Sequence, residues 1–529
     1  IQPLGLHYAS TLTAAMALQG AVAAALGQLR GLTVANTRIS MASAALLGAS
    51  QYIADATVSA ASENLPAVKK SECPAPPFIS SDGVVFELET LNADSWLKFW
   101  TRLEVNPVSA GTGWTAFLLR YAKASAPVPD ELVHTLTQIS YRDIAALCAQ
   151  TGMSICALYT LHERVADQRF KDEWLNGPWA FGLNTDAVHA QAKPASGSLP
   201  LSGLTVVESC RRIQGPLAGH LLALLGAEVI RIEPPGGDPL RGMPPIADGC
   251  SVRFDAINRL KTVREIDIKS ASGQSEVMAL VREADVFLHN WAPHKAAQLT
   301  LDDGDLSGLN PALIYAYAAG WSTQDGDART PSAPIPGTDF MVQAYSGVAH
   351  KISQACGSRG GSLFTLLDVL GGVIAAQGIT VALLNRFMNR RGGKVTSSLL
   401  SAATMLCSED FQRQYNSFDT QVPPACVLSE VYETKQGKIA VDCCNEEMVQ
   451  RLLRLLDEPA DCAPPDVHQR LQTVFLTQNA SRWLSLLQQA GIPAVAVAEN
   501  LSDLPRNAQL QSFLHRDTYL QVVSPWSFQ

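Results

Sequence analysis

The sequence has no Gly-x-Gly-x-x-Gly and no Gly-x-x-x-x-Gly-Lys-[Ser/Thr]. That excludes the dinucleotide fingerprint and the P-loop as cradles for a phosphorylated ligand. Its eleven cysteines include no Cys-x-x-Cys pair and no His/Cys cluster at zinc spacing, so no metal is implied. Adjacent Cys443 and Cys444 lie in a strand-like run and read as buried thiols rather than a disulfide. A reducing, cytoplasmic setting is the simplest expectation, with organelle targeting left open. A long basic run is also missing and the formal net charge is −9, so nucleic acid is not an expected partner. Charged residues make up 17% of the chain against 47% hydrophobic, the balance of a well-buried globular enzyme rather than a disordered or fibrous protein. The apolar run Thr11–Leu26 has no basic region before it and is interrupted by small and polar residues. It is too short and mild for a membrane span and reads as a buried Ala-rich helix, with no membrane partner expected.

At 529 residues the chain exceeds one ordinary core, so two or three domains are expected. An internal repeat organises them. The helix "AAMALQGAVAAALGQLRG" returns as "GVIAAQGITVALLNRFMNRRGG" (Gly372–Gly393), and "ISMASAALL" as "TSSLLSAATML". "FISSDGVVFEL" corresponds to "YETKQGKIAVD", each an alternating strand around a turn glycine, Gly83 or Gly437. "QTGMSICAL" matches "QAGIPAVAV" and "GPWAF" matches "SPWSF", all at offsets of about 340–358 residues. The expected organisation is a partial copy over residues 1–185, a Pro-containing linker over 186–199, and a full copy over 200–529. The full copy divides into a large domain near 200–410, a small domain near 411–510 and a C-terminal return segment. Two such copies in one chain would pair as an intramolecular pseudo-dimer, with which a further homodimer is compatible.

The full copy opens with strand–helix–strand alternation: "LTVVES", "GPLAGHLLALLG", "AEVIRIE". "SEVMALVREA" continues it as a helix, "DVFLHN" and "ALIYAYAAG" as strands. This predicts an α/β fold with a parallel, doubly wound, Rossmann-like sheet plus a small α+β domain. Such sheets bind phosphates where helix N-termini meet strand C-termini.

These residues resemble the class III CoA-transferases, a family that includes formyl-CoA and carnitine CoA-transferases and α-methylacyl-CoA racemase. The resemblance rests on "GPLAGHLLALLGAEVIRIEPPGGDPLR", "NRLKTVREIDIKS", "ADVFLHNWAP", "LNPALIYAYAAG", "PGTDFMVQAYSGV" and "LLDVLGGVIAAQGITVALLNR", in the family's order. It implies an enzyme that handles an acyl-CoA and transfers CoA between carboxylic acids, with coenzyme A as substrate rather than resident cofactor. On this sequence the CoA-binding positions would be Gln214 and Gly215 at the turn before Pro216, then Arg241, Asn258 and Lys261. Arg and Lys supply charge-assisted bonds to phosphates. Arg241 and Lys261 also read as solvated surface charges, and Gly215 as a turn former.

Two family positions are altered. Counted from Ser346, the place of the transferases' nucleophilic aspartate falls on Cys356, beside Gly357. The place of the racemases' histidine, before the Asp of "GTDF", is Thr338, while their aspartate matches Asp368. Gln298 and the loop "GWSTQDGDA" also depart from the family pattern. The catalytic candidates are therefore Asp368, Asp339 and Cys356. Asp339 also fits an N-cap of the helix that follows it, and Asp368 reads as either a buried acid/base or a cap. Cys356 needs a base, with His350 nearest in sequence, or a helix N-terminus to form a thiolate. The alternative to transfer is another reaction on the same fold: an acyl-CoA isomerase or epimerase, or an enzyme acting on a free metabolite without CoA. The substrate-choosing loops, Gly320–Pro336 and Gln354–Ser362, give no reading.

Overall fold

The computed structural model describes residues 4–58, 76–167, 170–184, 194–321, 337–356, 364–415, 428–458 and 464–529. The chain forms two compact units, Leu6–Tyr415 with Gln509–Gln529, and Ile1–Gly5 with Asn416–Ala508. Most of the linker expected over 186–199 lies outside the described residues.

The larger unit begins with helix α1 (Tyr8–Leu29). It is longer than the Thr11–Leu26 run and half-buried rather than engulfed: Leu12, Ala15, Met16, Gln19, Ala23 and Leu26 face inward at helical spacing. Helix α2 (Ser50–Thr57) follows. Strands β1 (Phe78–Ile79), β2 (Val85–Glu89) and β3 (Ser154–Ala157) then form an antiparallel sheet in that order. Its hairpin turns at Gly83, whose φ of 82° only glycine adopts without strain. Helix α3 (Pro107–Lys123) covers this sheet with a core rich in Trp96, Phe99, Trp100 and Phe117.

The central sheet combines β4 (Ala180–Leu183), β5 (Thr205–Ser209), β6 (Glu228–Glu233), β7 (Thr262–Glu265), β8 (Val286–His289), β9 (Ile314–Ala319) and β10 (Gly393–Ser398). Their order is β7-β6-β5-β8-β9-β10-β4. All pairs are parallel except β10 with β4, which closes the edge antiparallel. From β5 onward this is the doubly wound order, and its strand sequence reverses between β5 and β8, where ligands of such sheets bind. Helices α4 (Gln214–Leu224), α5 (Val252–Asp255), α6 (Ala271–Glu283) and α7 (Asp303–Leu309) connect the strands. Helices α8 (Asp339–Ser346), α9 (Val348–Cys356) and α10 (Leu366–Asn389) follow β9. Strands β5 and β8 are nearly all buried, because helices cover both faces.

By length and composition alone, α1 and α10 are both apolar enough to cross a membrane, but the apolar window of α10 is 94% buried inside the protein. The two helices contact each other reciprocally. Gln377 donates to the carbonyl of Ala15 at 3.1 Å, and Gln19 to the Thr380 hydroxyl at 3.5 Å. Trp179 donates its indole N–H to the carbonyl of Ile374 on α10, and Trp526 its own to Met16 on α1, at 2.9 and 2.8 Å. A Cβ at Gly378 would lie 2.7 Å from Trp179, and one at Gly20 2.7 Å from Trp526.

The smaller unit carries an antiparallel sheet of β11 (Leu428–Glu433), β12 (Lys438–Cys443) and β13 (Ala494–Ala496), its first hairpin turning at Gly437. Helices α11 (Glu446–Leu455), α12 (Pro464–Phe475) and α13 (Ala480–Gln489) pack on it around Tyr432, Leu471, Phe475 and Trp483. Cys443 is buried and Cys444 exposed, and both are free thiols.

Because the indole of Trp179 fills the space of a side chain at Gly378, Gly378→Val is expected to cost about 1–3 kcal/mol. Thermal denaturation of G378V, W179A and the double variant checks this: the penalties should be less than additive, since one change makes room for the other.

Candidate active site

The site is built around the N-terminus of α10. Its first-turn amides have no partner within the helix, and Asp339 supplies one. The Asp368 N–H donates to Asp339 Oδ2 at 2.6 Å, and the Leu367 N–H also bonds this carboxylate. Gln343, one turn along α8, donates its side-chain amide to Asp339 Oδ1 and to the Phe364 carbonyl. Asp339 is 1% exposed. The expected cap of its own helix is not what forms: Thr338 holds that position, with no side-chain capping bond. Asp339 reaches across to cap α10, because the N-terminus of that longer, buried helix is the nearer concentration of unpaired donors. Asp368 is no cap either; it sits in the first turn and contributes its own amide.

The two carboxylates therefore share one site. Burial, then the charge of Asp368, pushes Asp339 well above the usual carboxylate range. Burial pushes Asp368 up to about 7, with Arg212 opposing and Glu89 adding to the rise.

A third carboxylate comes from the other half of the chain. Glu89, at the end of β2, accepts from the Thr338 hydroxyl through Oε2 and from the Tyr121 hydroxyl on α3 through Oε1. Two neighbours hold β2 and α3 against α8. Arg120 makes a two-pronged, buried ion pair with Glu87 at 2.8 and 2.7 Å, and its guanidinium lies 3.6 Å from the Phe340 ring centre. Arg212 faces the cluster from the turn between β5 and α4, 5.2 Å from the Tyr121 ring centre. Its φ is 66°, a conformation that non-glycine residues seldom adopt outside special sites. Among the described residues no carboxylate lies within ion-pair distance of it. Asn290, after β8, braces this turn at the reversal point by bonding the N–H and carbonyl of Arg211 at 2.9 and 2.8 Å.

Sequence reasoning missed Arg212, Glu89 and Tyr121. Arg212 had a signal, as the second arginine of "CRRIQGP" ahead of the turn; Glu89 and Tyr121 had none, because only folding brings β2 and α3 to α8.

The residues expected to meet CoA are engaged inside the protein. Lys261 is fully buried, not a surface charge, and its ammonium donates to Glu208, the Pro216 carbonyl and Asn258 at 2.7, 2.7 and 2.9 Å. All three of its donors are used. Asn258 donates to the Phe254 carbonyl and Gln214 to the Ala319 carbonyl. Gly215 lies in the first turn of α4 with its Cβ position 2.4 Å from Cys210 Sγ, which is a packing requirement. Arg241, about a third exposed, pairs twice with Glu233 at 2.7 and 2.8 Å. Arg231, buried between them, binds Glu208, Glu233 and Asp238. Three cations thus balance three carboxylates.

Cys356 ends α9. The C-terminus of a helix opposes a thiolate rather than promoting it. His350, six residues earlier on the same helix, does not share its face. Gly357 and most of the two loops that gave no reading lie outside the described residues.

Residues 201–519 match the family model for CoA-transferase family III. The chain is 28% identical over 338 residues to the acetyl-CoA:oxalate CoA-transferase of Acetobacter aceti, covering 59% of this chain and 85% of that protein. It is 27% identical over 350 residues to the succinyl-CoA:glutarate CoA-transferase of Mus musculus, covering 62% and 77%. A crystal structure of a mutant of Rv3272 from Mycobacterium tuberculosis superposes with a TM-score of 0.51 at 25% identity, over 60% of this chain and 86% of that one.

Asp368 has a folded pKa of about 7 against an ordinary 3.8, so between those values the native state binds more protons than the unfolded state. Stability should therefore fall as pH rises from about 4 to about 7. Asp339 acts in the same sense, and Asp368→Asn should flatten the slope in denaturant melts across that range. Lys261→Met should cost about 3–5 kcal/mol by leaving one buried carboxylate, Glu208, in excess of the remaining cations; the same melts at pH 7 report it, and Glu208→Gln added to it should restore part of the loss.

Proposed function

We propose, for a chain that belongs to CoA-transferase family III, that it transfers CoA between carboxylic acids, with Asp339 as nucleophile. The observation that carries this reading is the set of three donors on the Asp339 carboxylate, the Leu367 and Asp368 amides of α10 and the Gln343 side chain. In such a transfer the Asp339 carboxylate attacks the thioester carbonyl, forming a C–O bond as the C–S bond breaks, and releases the CoA thiolate. That thiolate then attacks the Asp339 carbonyl of the mixed anhydride, expelling the first acid as a carboxylate and leaving an aspartyl–CoA thioester. The second acid's carboxylate attacks this thioester and frees the thiolate again. The thiolate finally takes the second acyl group and regenerates Asp339. In two of these steps negative charge builds on the Asp339 carbonyl oxygen, where donors fixed in a dry site stabilise it best. The proton of this buried pair rests on Asp339, which burial and the charge of Asp368 push higher, and its shift to Asp368, whose pKa is about 7, would free the Asp339 carboxylate for attack. Arg212, the cation facing the cluster, would orient the incoming acid through charge-assisted bonds.

The reciprocal seating of Trp179 and Trp526 on α10 and α1 supports reading the chain as an intramolecular pseudo-dimer, in which β2 and α3 of the first half complete the site of the second. The free cysteines described support a reducing compartment.

A second reading has one observation in its favour. Asp368, pushed up to about 7 next to the buried Asp339, makes a carboxyl pair with one member near neutrality, which suits proton transfer at the carbon next to a thioester.

Incubation with acetyl-CoA or succinyl-CoA and a panel of mono- and dicarboxylic acids, followed for new thioesters, tests the proposal. Transfer should be seen with wild type and be undetectable with Asp339→Asn. Arg212→Gln should raise the KM for the acid about tenfold with a smaller effect on kcat. Deuterium entry at the α-carbon in D2O without any new thioester would replace the first reading with the second.

A further inference from the structure

Helices α1 and α10 occupy equivalent places in the two halves of the chain. Trp526 bonds the Met16 carbonyl on one as Trp179 bonds that of Ile374 on the other. Ser40 and Ser398, at the same spacing, open the short helices that follow, Met41–Gly48 and Leu399–Leu406, with the same capping box. Their surroundings differ. The apolar window of α10 is 94% buried and that of α1 only 39%.

On α10 the cover is visible. Helix α4 crosses its first turns, where a Cβ at Gly372 would lie 2.7 Å from the Gln214 carbonyl oxygen and 3.1 Å from Leu217. Strand β9 packs on the same helix. Both come from residues 203–365, a stretch with no counterpart in the first half. Ala14, the equivalent of Gly372, therefore faces solvent, and Leu18, Ala21 and Leu29 follow it at helical spacing. Leu18 is 49% and Leu29 55% exposed. Met41, 54% exposed, extends the strip, whereas its equivalent Leu399 is buried beside Gly371.

A helix with one face in water ordinarily carries charge on that face. Helix α1 has no charged residue from Tyr8 to Leu29. A contiguous apolar strip of this kind marks a contact surface, and two features say what covers it. The helix that covers α10 is itself uncharged, since α4 contains no Asp, Glu, Lys or Arg. Alanines 17, 21 and 25 of α1, about one per turn, let a second helix axis come close. Of the two long apolar helices among the described residues, α1 is the one with an open face. A second copy brings that same uncharged, alanine-lined face, which two-fold symmetry matches to itself.

We propose that two copies of this chain associate through α1, face to face about a two-fold axis, with Leu18 of each against the alanines of the other. The 22-residue helix is about 33 Å long and about 10 Å wide. The pair therefore buries about 700 Å² in total, roughly half of a standard interface. That size gives a reversible dimer with a dissociation constant on the order of tens of micromolar. The contact is separate from the pairing of α1 with α10 inside each chain, and it does not depend on the transfer chemistry assigned to Asp339.

Sedimentation velocity of the full chain, from about 1 to about 300 μM, spans that midpoint. The average mass should climb from that of one chain towards that of two. Leu18→Glu and Ala21→Glu each place a charge at the exposed centre of the strip, and each should weaken association at least about tenfold. Val108→Glu, at an exposed apolar position on α3, should leave it unchanged, and circular-dichroism melts report whether each variant is folded. Hydroxyl-radical labelling of the wild type locates the contact without a variant: Leu18, Leu29 and Met41 should be protected at the high concentration and Val108 should not. The proposal is overturned by a chain that stays monomeric throughout, by a folded L18E that associates as wild type does, or by association that leaves Leu18 unprotected. A monomer that floats with phosphatidylcholine vesicles would overturn it too, by making a lipid surface the occupant.

Discussion

A carboxylate that is 1% exposed stays in the interior of this protein because a 24-residue helix aims its first turn at it. The unpaired amides of α10 need an acceptor, and Asp339 needs donors, so each removes the other's desolvation penalty. The remaining site geometry follows from that pairing. It brings Asp368 beside Asp339, fixes α8 against the start of α10, and leaves Gln343 to hold the second carboxylate oxygen. The Glu87–Arg120 pair then ties the first half of the chain to the same helix through Phe340, which delivers Glu89 to the cluster.

Charge is handled in opposite ways at two places on the sheet. Around Arg231, three cations meet three carboxylates and every donor of Lys261 is used. That network is self-contained and fixes β5, β6 and the turn before the short 3-10 helix at Pro239–Gly242 in register. At the head of α10, three carboxylates face Arg212, which among the described residues has no carboxylate within ion-pair distance. An imbalance of that kind holds protons that an ordinary surface carboxylate would have lost, and it leaves the arginine available to an anionic partner.

Much of the architecture was legible in the sequence. Continuous apolar strands alternating with helices gave the doubly wound sheet, and the turn glycines Gly83 and Gly437 marked both small hairpins. The candidates Asp339 and Asp368 were also readable, since a carboxylate amid apolar residues demands a partner. Which partner was not readable: Asp339 precedes an apolar helix and so looks like that helix's cap, and nothing local says that a helix starting 27 residues later than it competes better. Lys261 and Arg241 looked like ligand contacts or solvent charges because their acceptors, Glu208 and Glu233, lie on other strands. Arg212 and Glu89 became site residues only through the strand order and the packing of one half of the chain on the other.

The measurement that tests the central claim most directly is peptide mass spectrometry after incubation with acetyl-CoA or succinyl-CoA and trapping with hydroxylamine. The account expects a hydroxamate on Asp339, absent without the thioester and absent in Asp339→Asn. Turnover with no adduct on Asp339, or with the adduct on Asp368 or Cys356 instead, would contradict it.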